Sequence, residues 1–453
     1  MTYDPATARF PSFAEARAGF ASGKDSPRAF LEACLEALEA REKDVRAFVT
    51  LDIEGARAAA DAADARWKAG VPLSDVDGLP FGVKDCYDVA GLPTRVNSAW
   101  FDDAPPAEFD AAHVAALREG GAYVLGKTVT TEFTMALSGP TWNPWDLTRT
   151  PGGSSSGSAA AIAAGMLPFA TGSQVRGSVI RPASICGIPA YKPTFGALNR
   201  HGGVDPSPSL NHIGLLGATM ADIWDGAQQI ARAVGGDPGF PTLPLGPLPE
   251  VRRPLRIARQ YTIGWEKTDE ASKAIFEEWL AGLSADGIEI VEPNETAELA
   301  AYEEATTRTI EFFFDLFWEI RWPWLEARRR APEKFSHVMH RHLDNAAALT
   351  IEDYERALAR QAELRRMHRS FAGAVDGFVT LAHIGPGQEG QPEMGTPWYN
   401  DASSAIGAPT VNLPLLTVEG LPLGIQLMGF EHRDAELVAM ARWLLARDGS
   451  PVA

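Results

Sequence analysis

Apolar positions at helical spacing open the chain. Across residues 26–41, Phe30, Leu31, Cys34, Leu35 and Leu38 recur with Glu and Arg between them, which predicts a helix. The Ala-rich stretch 54–68 predicts another. The pattern then changes. Segments 79–89 and 122–129 are short, β-branched and bounded by Gly or Pro, as buried strands are. Strand-like and helix-like stretches alternate to about residue 233, the signature of an α/β sheet covered by helices. Residues 235–254 carry Pro and Gly without periodicity and read as a connector, either a linker or a strip laid across the surface of one domain. Beyond it, residues 255–261 predict a strand, and roughly 268–285, 298–330 and 351–372 predict long helices. The chain closes with strand-like 408–416 and 421–429 and a helix from about Asp434.

Composition narrows the class. The 453 residues carry 41 Lys+Arg against 59 Asp+Glu, a formal net charge of −18. Phosphate contacts need clustered Lys and Arg, so no nucleic-acid partner is expected. No apolar run approaches the ~20 residues needed to cross a bilayer. The longest candidate, 159–170, is interrupted by Gly165 and Pro168. No membrane partner is expected either, and residues 1–20 lack the basic-then-apolar pattern of a signal peptide. Cys34, Cys86 and Cys186 cannot form a fully paired disulfide framework and show no metal spacing. A soluble, cytoplasmic globular protein is the expectation.

Three motif matches carry little. Residues 121–128 spell a phosphate-binding loop, but a helix-like stretch precedes them where that loop needs a strand, and 122–126 itself looks like a strand. Residues 153–157 fit the G-x-S-x-G elbow centred on Ser155, yet a loop precedes them rather than a hydrophobic strand. Of His337, His340 and His342 only the first two share a helical face, and no carboxylate is spaced to join them, so no metal is expected. The informative stretch is 150–203. A Gly/Ser-rich loop leads into a small-residue helix, then a strand-like segment, then a second Gly/Ser turn. Small residues in both turns let backbones approach closely and leave N–H groups free to bind an anion.

Several long segments, in order, resemble the amidase signature family of serine hydrolases: 78–94, 126–135, 143–165, 172–187, 191–203 and 420–429. The resemblance covers nearly the whole chain. It implies a single domain over 1–453 built on a mixed central sheet surrounded by helices, with a helical region about 1–70, a signature core about 75–233, a variable helical region about 255–372 and closing strands and helix over 373–453. By matching residues it implies a catalytic triad of Ser178 as nucleophile, Ser154 in a cis peptide as proton relay and Lys84 as base. A serine hydroxyl is a weak nucleophile without a base, and a lysine serves as one only when neutral, which burial favours.

The oxyanion hole is expected at the backbone N–H groups of Val175, Arg176, Gly177 and Ser178. Val175 and Arg176 stand where the family usually has Thr and a small residue. A positive φ at position 176 would strain an arginine. Arg181 has two readings: a structural tie, the favoured one, or a binder of a substrate carboxylate. Cys86 and Cys186 read as small core residues. The ring-rich segment 311–329 places Phe314, Phe317, Trp318 and Trp322 near one helical face. Most of these rings are expected to be core. Phe314, Phe317 and Trp318 are the candidates for an apolar, ring-lined substrate entrance.

The expected function is hydrolysis of a small-molecule amide or carbamate carrying a bulky or aromatic group, through an acyl-enzyme and without metal or organic cofactor. A glutamine-hydrolysing subunit of a tRNA amidotransferase and a catalytically dead scaffold are the alternatives. A homodimer and a partner protein both stay open.

Overall fold

Among the residues described by the computed structural model (2–205, 207–390 and 394–452), eleven strands form one mixed sheet. They are β1 (Phe48–Leu51), β2 (Pro80–Lys84), β3 (Tyr123–Thr128), β4 (Phe169–Gln174), β5 (Ala190–Lys192), β6 (His212–Gly217), β7 (Arg256–Arg259), β8 (Glu289–Val291), β9 (Gly377–Leu381), β10 (Thr410–Val418) and β11 (Leu421–Met428). Their order is β1-β3-β2-β4-β6-β5-β10-β11-β9-β7-β8. β2 runs parallel to both β3 and β4, and β7 runs parallel to β8 and β9, while the middle of the sheet from β4 to β9 is antiparallel. Every residue of β2, β3, β4 and β6 is buried, as strands covered on both faces must be. The sheet joins strands from both sides of 235–254. That connector lies along the surface of helix Met220–Val234, whose Trp224 Nε1 donates to Pro247 O at 3.0 Å and whose Gln228 Nε2 donates to Pro244 O at 3.1 Å.

Most expected elements form. Residues 26–41 and 54–68 fall in helices Pro27–Val45 and Ile53–Lys68, with Ser26 and Asp52 capping their first turns. The phosphate-loop look-alike at 121–128 is a turn followed by β3. Residues 298–330 depart from expectation. Instead of one helix they form Ala297–Thr307, a single turn Ile310–Phe313, a 3-10 segment Asp315–Ile320 and Arg321–Arg330, with Trp322 at φ −113°.

Packing around β2 and β4 uses smallness. Helix Ser156–Ala163 is buried at every residue. A Cβ on Gly157 would stand 2.2 Å from Ala47 O and 2.3 Å from Val129 N, so only glycine lets this helix start against the ends of β1 and β3. That contact seats the 150–157 loop beside the C-terminal ends of β2 and β4, where open parallel strands commonly present their sites.

Candidate active site

Lys84 ends β2 and is completely buried. Its Nζ donates to Ser154 Oγ at 2.7 Å, to Ser173 Oγ at 2.8 Å and to Ser173 O at 3.3 Å. Ser173 sits near the end of β4, which pairs in parallel with β2, so the sheet itself brings these groups together. No carboxylate among the described residues forms an ion pair with Lys84. The adjacent Asp85 pairs instead with the buried Lys127 at 2.8 Å. Burial, with a smaller push from the Arg181 guanidinium, pulls the Lys84 pKa down to about 8. A minority of the amine is therefore neutral near physiological pH, far more than in a lysine at its ordinary value. The Gly153–Ser154 peptide is cis. Ser155, centre of the elbow look-alike, is buried and exchanges 3.4 Å contacts with the Ser173 backbone.

Ser178 lies in the turn between β4 and helix Ile180–Cys186. The two serine loops are pinned together where Ser155 N–H donates to Ser178 O at 3.2 Å. Gln174 braces the turn from within, its Oε1 accepting from the N–H groups of Val179 at 2.8 Å and Ile180 at 3.0 Å. Among the described residues no acceptor pairs with the N–H groups of Val175, Arg176, Gly177 or Ser178. Four donors are thus left in one turn beside a serine hydroxyl. Strain at position 176 is absent: no residue from 175 to 178 has positive φ. The turn needs glycine at 177 for space, because a Cβ there would stand 2.3 Å from Asn400 Oδ1.

A family model for amidases matches residues 29–438. The chain belongs to the amidase family. A glutamyl-tRNA(Gln) amidotransferase subunit from Roseiflexus castenholzii (strain DSM 13941 / HLO8) is 34% identical over 464 aligned positions, spanning 94% of this chain and 93% of that one. A solved amidase structure superposes with a TM-score of 0.84 at 28% identity, covering 96% of this chain and 99% of the other. The peptide amidase of Stenotrophomonas maltophilia shares the fold with a TM-score of 0.81 at 24% identity, over 99% of both chains. The mixed sheet surrounded by helices is therefore the amidase signature fold, and the chain is an amidase-family hydrolase.

In this amidase a cavity of about 820 Å³ opens over Ser178. Val175, Arg176 and Arg181 line it with Ser178, and apolar lining comes from Met135, Leu137, Phe314, Phe317, Val338 and Trp398. Of Phe314, Phe317 and Trp318, the first two line this cavity and Trp318 does not. Its indole stacks on Tyr354 with centroids 6.3 Å apart, and the Arg321 guanidinium lies 3.8 Å from its ring centre. The reason is the 3-10 geometry. At three residues per turn, positions 314 and 317 eclipse while 318 moves a third of a turn away.

Arg181 is buried, and its Nε and Nη2 donate to Gly153 O at 2.8 and 2.5 Å while Nη1 donates to Gly395 O at 2.7 Å. These are ties between the loop before Ser154 and the far rim of the cavity. The histidines scatter: His337 and His342 line the cavity, His342 against Phe317, and His340 contacts Pro332 O at 3.0 Å. Cys86 and Cys186 are buried and free. Ser173, near the end of β4, is a Lys84 partner that no triad motif marks, although a Gly and Ser pair at 172–173 stands in the sequence. The side-chain partner of Arg176, Asp401, left no motif to find.

Proposed function

We propose that the chain hydrolyses an amide C–N bond through an acyl-enzyme on Ser178. The supporting observation is a fully buried lysine, free of any carboxylate partner among the described residues, whose Nζ lies 2.7 Å from Ser154 Oγ. Ser178 Oγ attacks the carbonyl carbon while its proton passes to Ser154 Oγ and that of Ser154 to neutral Lys84 Nζ. The oxyanion takes hydrogen bonds from the unpaired N–H groups of the 175–178 turn. Collapse breaks the C–N bond, and the leaving amine receives the proton back through the same relay. Water then repeats the sequence to release the acid.

The rings at Phe314 and Phe317 favour bulky aryl amides or aryl carbamates. Comparing kcat/KM for an acetanilide and a phenyl carbamate with that for malonamate tests this. Preference for the aryl compounds is expected, and preference for malonamate overturns the pocket reading and makes Arg181 the carboxylate binder.

A second reading, glutamine hydrolysis within a tRNA amidotransferase, is favoured by the function of the Roseiflexus relative at 34% identity. Steady ammonia release from glutamine, exceeding turnover of every aryl amide, selects it. The dead-scaffold alternative draws on Arg176 spoiling the oxyanion hole; no positive φ occurs there, and fluorophosphonate labelling at Ser178 separates an enzyme from a scaffold.

A further inference from the structure

Arg176 is the turn residue whose side chain the catalytic scheme leaves unused. Its Nε donates to Asp401 Oδ1 at 2.7 Å and its Nη2 to Asp401 Oδ2 at 2.5 Å, a two-pronged pair that fixes direction as well as distance. The Asp401 side chain is only 3% exposed. Across the guanidinium stand Phe313 and Phe314, each ring centre 5.1 Å from the Arg176 Cζ. The helix that begins at Asp401 holds the backbone of the same residue too: Ser404 Oγ donates to Arg176 O and accepts from Gln174 Nε2 at 3.0 Å. Asn400, just before that helix, fills the space beside Gly177.

We propose that Arg176 and Asp401 are positioning residues, their ion pair clamping the Val175–Ser178 turn in the shape in which its N–H groups receive the oxyanion. The pair also neutralises a buried carboxylate that would otherwise stand unpaired beside the turn, and it seats the turn against the ring wall at Phe313 and Phe314. Removing the guanidinium therefore damages the transition state more than the encounter with ligand. This rests on the reading of Ser178 as nucleophile.

The test needs no knowledge of the natural substrate. A fluorophosphonate forms a bond between Ser178 Oγ and phosphorus as fluoride leaves, and its phosphoryl oxygen takes the oxyanion position. For Arg176→Met, kinact should fall about 10- to 100-fold, less than the ~10²–10³ lost when an oxyanion donor is removed outright, with KI changed less than about threefold. Arg176→Lys, which keeps the charge but not the two-pronged contact, should fall between Arg176→Met and the parent. Wild-type kinact in folded Arg176→Met overturns the proposal, as does a raised KI at unchanged kinact, which would make Arg176 a ligand contact. If Arg176→Met melts below the assay temperature, Asp401→Asn takes its place, with at least about a tenfold loss of kinact expected and an unchanged kinact overturning the clamp. Ser178→Ala run in parallel separates the two claims: labelling that persists there overturns the nucleophile and the clamp with it, whereas labelling lost there but unchanged in Arg176→Met overturns the clamp alone.

Discussion

Two regions meet across the cavity and are built by opposite rules. The serine loops over 150–187 use small residues, are buried almost throughout, and bring backbone against backbone, as at Gly157. The ring-rich segment over 310–324 uses large side chains in short, broken helical turns and leaves Phe314 39% and Trp322 76% exposed. The first region sets the hydroxyls of Ser154 and Ser173 against Lys84 Nζ and leaves four N–H groups of one turn unpaired among the described residues. The second supplies a wall. Close backbone approach is held here by the absence of side chains, and the cavity wall by their bulk, so substitutions on the two sides should fail differently.

On the loop side, Ser178→Ala should abolish turnover with the fold intact, and Lys84→Ala should cost on the order of 10² to 10⁴ in rate, the range for losing positioned proton transfer. Steady-state kinetics checks both, and full activity in Lys84→Ala would dissolve the contrast. Across the cavity, Phe317→Ala removes a ring that is both lining and core, and should cost about 3–5 kcal/mol of stability by denaturant unfolding. Phe314→Ala, at a half-exposed ring, should leave stability nearly unchanged and lower kcat/KM for aryl amides by about 2- to 12-fold, equivalent to ~0.5–1.5 kcal/mol of ring contact. A larger loss on a small aliphatic amide than on an aryl one would remove Phe314 from the recognition wall. Smallest of all, Trp322→Ser should change stability by less than about 0.5 kcal/mol, since the indole is mostly in solvent.

The same contrast explains what the sequence makes legible. Gly and Ser runs are uncommon enough, and their spacing rigid enough, that the loops around Ser154 and Ser178 are readable from the chain. The strands beside them announce themselves as short β-branched runs. The ring segment reads as one helix because its apolar spacing is helical, and periodicity alone cannot register where backbone hydrogen bonding tightens to 3-10 or breaks before Pro323. That local change removed Trp318 from the cavity. The partners of Arg176 were hidden for another reason: Asp401 and Ser404 lie more than 220 positions away, and only the sheet order, which brings β10 and β11 to the middle, carries them to the turn.

The central claim is that neutral Lys84 drives attack by Ser178, and the pH dependence of fluorophosphonate labelling tests it most directly. Protonation silences a base, so the rate should fall about tenfold per pH unit below the Lys84 pKa of about 8 and level off above it, with the label mapping to Ser178 alone. In Lys84→Ala the labelling should be slow and the rise through pH 8 should vanish. Labelling at another residue, or an unchanged rate and pH profile in Lys84→Ala, would contradict the account.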